Sequence, residues 1–195
     1  MPTTHLLYLH GFRSSLQSTK ARQMAARMAA RHPQVRWWCP ALPPSPREAM
    51  ALIMDGIADW PRATMAVVGS SLGGFYATRV AALTGCPAVL LNPAVDPARD
   101  LARHIGAQTG WHDPTQQFHF QPGFIDELRA LEVGPLERPE RVLAIVAQGD
   151  EVLDWREMTA RYPGSRVRLL EGGDHALSDF EARHLDDVLA FLDPV

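Results

Sequence analysis

Residues 65–74 read Met-Ala-Val-Val-Gly-Ser-Ser-Leu-Gly-Gly and carry the strongest structural signal in the chain. The apolar run Met65 to Val68 predicts a buried strand, and a helical pattern begins directly after Ser71. A serine at such a strand-to-helix turn has strained backbone angles, so the residues two before and two after it must be small. Here they are Gly69 and Gly73. The segment predicts a sharp turn that exposes the Ser71 hydroxyl at a helix N-terminus.

Further apolar runs of strand length lie on both sides of this segment, and helical patterns separate them. Such alternation is typical of a parallel sheet covered by helices. The predicted strands are Leu6–Leu9, Val35–Cys39, Met65–Val68, Ala88–Leu91, Val142–Ala147 and Arg166–Leu170. We therefore predict an α/β fold in which a mostly parallel six-stranded sheet carries helices on both faces.

Helical periodicity predicts four helices besides the one after Ser71, and they cover Gln17–Arg31, Ser45–Trp60, Asp154–Tyr162 and Asp179–Leu192. The segment from Asn92 to Pro139 breaks the alternation, with only weak helical periodicity around Leu101 and Leu128. A connection this long is usually a functional insertion or a lid. We expect a single domain over residues 1–195, with residues 93–139 as a small cap-like insertion.

Composition excludes several classes of protein. The chain has 195 residues, of which 46% are hydrophobic and 21% charged, with a formal net charge of −3. These values are ordinary for a globular domain and do not fit disorder or a nucleic-acid-binding surface. No signal peptide is recognised, and no apolar run approaches the roughly 20 residues needed to span a bilayer. We expect a cytoplasmic protein with no nucleic-acid partner and no membrane insertion.

A serine hydroxyl needs a base within hydrogen-bond reach, and the base needs a carboxylate to orient it. One known chain order for such a triad is Ser, then Asp or Glu, then His. Asp150 follows the strand 142–147, and His175 follows the last strand in a glycine-rich loop. We predict that Ser71 is the nucleophile, His175 the general base and acid, and Asp150 the residue that orients the base.

Each of these assignments has a competitor. Asp154 lies four residues after Asp150 and would otherwise be the N-cap of the next helix. His184 competes with His175 but falls within the predicted last helix, where we expect it to be exposed. His10 could be a second base, or a structural residue whose ring bonds to backbone. Glu151 is expected to be solvated.

An oxyanion hole requires two backbone N–H groups, one from the residue after the nucleophile and one from a loop after an early strand. We predict Leu72 for the first and Phe12 for the second. We also expect Gly11, Arg13, Asn92 and Trp111 to contact substrate. The aromatic residues of the insertion, Trp111, Phe118, Phe120 and Phe124, either form an apolar acyl pocket or pack the insertion onto the domain.

Four motifs together resemble the α/β-hydrolase superfamily, namely the loop at His10-Gly11, residues 69–74, residues 149–152 and residues 173–175. The compact length, the opening Leu-Tyr-Leu-His-Gly-Phe-Arg-Ser-Ser and the turn Leu91-Asn92-Pro93-Ala94 resemble the small bacterial YqiA-like esterases within it. The resemblance runs over nearly the whole chain and is weakest from about residue 99 to 140. It implies a serine esterase acting on small-molecule carboxylic esters or thioesters, without a metal or an organic cofactor.

Two other functions fit the same motifs. An acyltransferase or a peptidase would use the same triad. A non-catalytic small-molecule receptor on this fold is a third reading, but a receptor has no need to keep all three triad residues.

Overall fold

The computed structural model describes residues 1–113, 115 and 117–195, so Pro114 and Gln116 of the predicted insertion lie outside the described residues. Its strands are β1 (His5–Leu9), β2 (Arg36–Trp38), β3 (Met65–Ser70), β4 (Ala88–Leu91), β5 (Gly106–Thr109), β6 (Gln117–Phe120), β7 (Val142–Ala147) and β8 (Arg166–Leu170). Six of them form one parallel sheet in the order β2-β1-β3-β4-β7-β8. All six predicted strands are in this sheet, so the predicted fold class is confirmed.

The α-helices are α1 (Thr19–Arg31), α2 (Pro46–Gly56), α3 (Leu72–Thr84), α4 (Pro97–Leu101), α5 (Gly123–Leu131), α6 (Trp155–Arg161), α7 (Phe180–Arg183) and α8 (Leu185–Leu192). They cover both faces of the sheet. One apolar cluster packs α2, α3 and α6 against one face, and a second packs α1, α7 and α8 against the other. Adjacent strand residues alternate between the clusters, so that Leu7 belongs to the first and Leu6 to the second. Within the described ranges, no helix is long and apolar enough to cross a membrane.

The single helix predicted from residue 179 to 192 is two helices. The break falls at His184, whose φ is −125°. Its side chain is buried and its Nε2 lies 3.2 Å from Asp179 Oδ1. His184 is therefore an interior residue at a helix junction, and our expectation of an exposed helical position was wrong. The helix predicted to reach Trp60 ends at Gly56.

Residues 93–139 contain more structure than their sequence indicates. Strands β5 and β6 pair antiparallel, with Gly106 opposite Phe120 and Thr109 opposite Gln117, and they form a sheet of their own. The helices α4 and α5 flank this hairpin in the chain and account for the periodicity around Leu101 and Leu128. Helix α5 is tied to the start of α2, because Glu127 Oε2 accepts hydrogen bonds from the Ser45 hydroxyl at 2.7 Å and from the Arg47 N–H at 3.1 Å.

Candidate active site

Ser71 lies on a strained turn between β3 and α3. Its φ of 56° and ψ of −121° are rare for a residue with a side chain. Its N–H donates to the Leu91 carbonyl at 3.0 Å, and its own carbonyl accepts from the Ala94 N–H at 3.0 Å. The turn is therefore held in its strained form by the last residue of β4 and the segment that follows it.

At the two glycines that flank Ser71, any larger residue would clash with backbone. A Cβ on Gly69 would lie 2.1 Å from the Gly73 carbonyl oxygen, and a Cβ on Gly73 would lie 2.0 Å from the Leu9 carbonyl oxygen. Both contacts are with backbone, which cannot rotate away. The small residues expected around Ser71 are thus needed for α3 to start directly against β1 and β3.

Ser71, His175 and Asp150 form one hydrogen-bonded chain. His175 Nε2 lies 3.1 Å from Ser71 Oγ, and His175 Nδ1 lies 2.7 Å from Asp150 Oδ2. The other carboxylate oxygen, Asp150 Oδ1, accepts from the N–H groups of Val152 and Leu153 at 2.8 Å each. The Asp150 side chain is fully buried, whereas that of His175 is 20% exposed. The carboxylate is consequently fixed in one orientation, and the ring can still be reached from solvent.

The loop that carries His175 is anchored by two further side chains. Glu151 is exposed as expected, yet its Oε2 accepts a hydrogen bond from the His175 backbone N–H at 2.9 Å. Asn92 Nδ2 donates to the carbonyls of Asp174 at 3.0 Å and His175 at 3.2 Å, while its Oδ1 accepts from the Ala147 N–H at 2.8 Å. Nothing in the sequence links Glu151 or Asn92 to this loop, because the contacts join residues far apart in the chain.

Asn92 therefore does not fit the substrate contact that the sequence suggested. Its exposed fraction is 0%, and both polar atoms of its amide are already bonded to backbone. A buried amide with all these bonds fixes the ends of β4 and β7 relative to the His175 loop. Its role in the site is to position that loop.

Asp154 and His10, the alternative site residues, make contacts outside the chain of Ser71, His175 and Asp150. Asp154 caps α6, where its Oδ1 accepts from the Arg156 N–H at 2.9 Å. The ring of His10 lies under the loop after β1, with Nδ1 3.1 Å from the Gly11 carbonyl and Nε2 accepting from the Leu42 N–H at 3.3 Å. Burial lowers the pKa of His10, which favours a neutral ring that donates from Nδ1 and accepts at Nε2. These contacts favour the interpretation of His10 as a structural residue whose ring bonds to backbone.

The loop after β1 lies directly against Ser71. A Cβ built on Gly11 would be 3.1 Å from Ser71 Cβ and 3.5 Å from Ser71 Oγ. Phe12 follows, and its ring packs against Phe118 and Phe120 of β6 at centroid distances of 5.9 and 5.3 Å. On the other side of Ser71, Leu72 is the first residue of α3, so its N–H has no acceptor within the helix.

Arg13 and Trp111 join this loop to the hairpin. Arg13 Nε donates to the Thr109 carbonyl at 2.7 Å, and the Trp111 N–H donates to the Arg13 carbonyl at 2.8 Å. The Arg13 guanidinium lies 4.1 Å from the centre of the Trp111 ring, which is a cation–π contact. Trp111 nevertheless remains 66% exposed. The hairpin is thus attached to the same loop that contacts Ser71.

Two clefts meet at the loop formed by residues 10–14. One, of about 220 Å³, is lined by Ser71 and His175. The other, of about 430 Å³, is lined by Leu72 and Tyr76 of α3, by Leu42 before α2 and by Phe118 of β6. Polar side chains, among them Arg13 and Gln117, complete its wall. Gly11 and Phe12 line both. Among the described residues, no group of three or more His, Cys, Asp or Glu side chains is arranged to hold a metal ion.

A parallel sheet in which one strand turns sharply into a helix at a serine, with an acid and a histidine after two later strands, defines the α/β-hydrolase fold. The chain is a member of that superfamily. It belongs to the family described as "Uncharacterised protein family (UPF0227)", whose model matches residues 5–193. This is the YqiA-like group that its motifs resemble, and the resemblance is confirmed.

Solved structures give the same fold. A protein from Agrobacterium vitis S4 aligns with a TM-score of 0.77 at 17% identity, covering 98% of this chain and 91% of its own. Alpha/beta hydrolase domain-containing protein 10 from mouse aligns with a TM-score of 0.72 at 16% identity, over 97% and 91% of the two chains. Est1E from Butyrivibrio proteoclasticus, solved with ferulic acid bound, aligns with a TM-score of 0.69 at 13% identity, over 98% and 87%. At these identities the likeness concerns the fold alone.

Proposed function

We propose that the protein is a serine hydrolase that cleaves carboxylic esters or thioesters through an acyl-enzyme intermediate. The observation that carries this proposal is the continuous chain from Ser71 Oγ through His175 to the buried carboxylate of Asp150. Several structural neighbours are named as esterases or lipolytic enzymes, which supports the same class of reaction.

In the proposed reaction, His175 takes the proton from Ser71 Oγ as this oxygen attacks the acyl carbonyl. Asp150 accepts a hydrogen bond from Nδ1–H, which leaves the lone pair of Nε2 directed at Ser71. The protonated ring then gives its proton to the departing alcohol or thiol. Water enters by the same route in the second half of the cycle and releases the acid.

The N–H groups of Phe12 and Leu72 are proposed to stabilise the oxyanion. The contact between Gly11 and Ser71 supports this assignment, because it brings the loop after β1 within van der Waals distance of the nucleophile. The free N–H at the start of α3 adds the positive end of the helix dipole. Losing one such donor typically lowers kcat by about 10² to 10³.

We assign the two clefts to the two parts of the substrate. The larger cleft suits the acyl chain because it is the roomier of the two and its lining includes the apolar side chains of Leu42, Leu72 and Phe118. The smaller cleft contains His175, which must reach the leaving oxygen or sulfur, and so suits the alcohol or thiol. The hairpin and its flanking helices, within residues 93–139, act in this proposal as a cap that forms one side of the acyl cleft.

The test is covalent labelling with a fluorophosphonate probe at neutral pH, followed by intact mass and peptide mapping. We expect one adduct, located on Ser71 and absent from the folded Ser71→Ala protein. The Ser70→Ala variant removes the neighbouring hydroxyl and serves as the control that must keep the adduct. Hydrolysis of 4-nitrophenyl acetate should follow the same pattern. Folded wild-type protein that takes up no probe and turns over no ester would overturn the proposal and favour a non-catalytic receptor.

A further inference from the structure

Lys20 is the only lysine among the nineteen basic residues, and it lines the cleft that contains Ser71 and His175. It is the second residue of α1 and is half-buried. Its ammonium group donates a hydrogen bond to the carbonyl of Ala176, the residue after the proposed base. The single lysine is therefore adjacent to the reacting groups, although no step of the proposed reaction uses it.

The charge of Lys20 has no direct counter-ion within the described part of the chain, since no carboxylate there forms an ion pair with it. The two nearest acids are engaged elsewhere: Asp150 with His175, and Asp174 with the N–H and hydroxyl of Ser178. An ammonium group has three donors, and one is used by Ala176. Two donors and a full positive charge remain available to a ligand in the cleft.

The groups around Lys20 are also hydrogen-bond donors. The cleft is lined by the hydroxyls of Ser14 and Ser18, and Ser18 is the N-cap of α1, a helix with no acidic residue in its first turn. Tyr8 also lines this cleft, and its buried hydroxyl has no partner of hydrogen-bond geometry among the described residues. Burial raises the pKa of Tyr8, and the nearby hydroxyls of Ser18 and Ser70 only partly oppose this, so the phenol keeps its proton.

We propose that Lys20 binds an anionic oxygen group, a carboxylate or a phosphate, on the alcohol or thiol portion of the substrate. The assignment to the leaving group rests on the proposed function, because Lys20 shares its cleft with His175, which protonates that group. The larger cleft beyond Leu72, where the acyl chain is proposed to lie, does not include Lys20.

The test uses two acetate esters of nearly equal shape, one of 4-hydroxybenzoate and one of 4-hydroxybenzamide, so that only the charge on the leaving group differs. Both are assayed with wild type, Lys20→Met, Lys20→Arg and Arg22→Met. Arg22→Met is the matched control, because it removes one positive charge from the exposed side of the same helix. Thermal unfolding of each variant checks that it is folded.

We expect the ratio of kcat/KM for the anionic ester to that for the neutral ester to fall about tenfold in Lys20→Met, as for the loss of one partly screened charged hydrogen bond. Lys20→Arg should keep most of the ratio, and Arg22→Met should not change it. If Lys20→Met slows both esters equally, Lys20 acts only by holding the loop at Ala176, and the inference is wrong.

A binding measurement separates this inference from the proposed function. Calorimetry with Ser71→Ala protein and the intact anionic ester needs no turnover. Binding about tenfold weaker in Ser71→Ala/Lys20→Met supports the anion site even if wild type hydrolyses neither ester, in which case the proposed function fails alone. Equal binding by the two proteins overturns the anion site even if wild type is an active esterase.

Discussion

The carboxylate of Glu151 accepts a hydrogen bond from the backbone N–H of His175 at 2.9 Å, and the neighbouring Asp150 contacts the ring of the same residue at 2.7 Å. Two consecutive acids after β7 therefore bind one histidine in two ways. The first sets the position of the loop, and the second sets the orientation of the imidazole. His175 remains partly exposed, so its alignment depends on these contacts more than on packing.

We expect Glu151→Ala to lower kcat about three- to tenfold with little change in KM, because one charge-assisted bond to the loop is lost. Glu151→Gln keeps an acceptor oxygen and should restore most of the activity. Steady-state kinetics on 4-nitrophenyl acetate tests this. A Gln variant as slow as the Ala variant would mean that the charge of Glu151, and not its hydrogen bond, is what the site needs.

Asp150 and Asp154 are four residues apart but have different tasks. Asp150→Asn should lower kcat by about 10³ to 10⁴, because an amide favours the wrong tautomer of His175. Asp154→Asn should keep near-normal kcat, since asparagine also caps a helix well. The two variants are compared at equal concentrations of folded protein. A large loss in Asp154→Asn with normal Asp150→Asn activity would reverse the assignment.

Gly11→Ala places a methyl group 3.1 Å from Ser71 Cβ and 3.3 Å from the Ser70 carbonyl. The loop after β1 must then move by a few tenths of an ångström, which displaces the Phe12 N–H from the reacting carbonyl. We expect kcat/KM to fall at least about tenfold with less than about 1 kcal/mol change in the free energy of unfolding. Gly123→Ala is the control, since a Cβ there meets nothing within 4 Å.

The preference for an anionic leaving group should depend on pH. Burial lowers the pKa of Lys20 to about 8, and Asp174 and Asp150 partly oppose this. The ammonium form is present below that pKa and is lost above it, so the anionic-to-neutral kcat/KM ratio should fall as pH rises from 7 to 9. Lys20→Met provides the baseline for this pH dependence, because it keeps the other titratable groups near the cleft. These groups are Asp150, Asp174, His112 and His175. A wild-type ratio that stays constant through pH 9 contradicts this prediction.

The centre of the main sheet could be predicted because its inner strands are buried on both faces. Val142–Ala147 and Ala88–Leu91 are continuous apolar runs. Short runs of this kind are typical of buried strands in a parallel sheet. The turn at Ser71 could be predicted because its signal is a short motif, a strand followed by glycines two residues before and two residues after the serine, although Gly73 itself packs against the distant Leu9 carbonyl. In both cases the information is local.

The hairpin and the anchoring of His175 could not be predicted, because they depend on partly exposed strands and on contacts between residues far apart in the sequence. Strands β5 and β6 have four residues each, and all but Phe120 are at least partly exposed, so their pattern resembles a loop. Asn92 and Glu151 contact the His175 loop from 83 and 24 residues away. The helix break at His184 depends on the burial of this side chain and on its contact with Asp179, which exist only in the folded chain.

The β5–β6 hairpin pairs only with itself in the described structure, while the reacting groups follow strands of the main sheet. Its contacts with the rest of the chain pass through Phe12, Arg13 and Trp111 and through the buried Phe120, which belongs to the apolar cluster on one face of the sheet. The exposed positions of the hairpin can therefore be exchanged without altering the register of the main sheet, whereas Phe118 and Phe120 must be kept because they pack against Phe12. Under the proposed assignment of the clefts, grafting the exposed part of this segment between family members is expected to change the acyl preference.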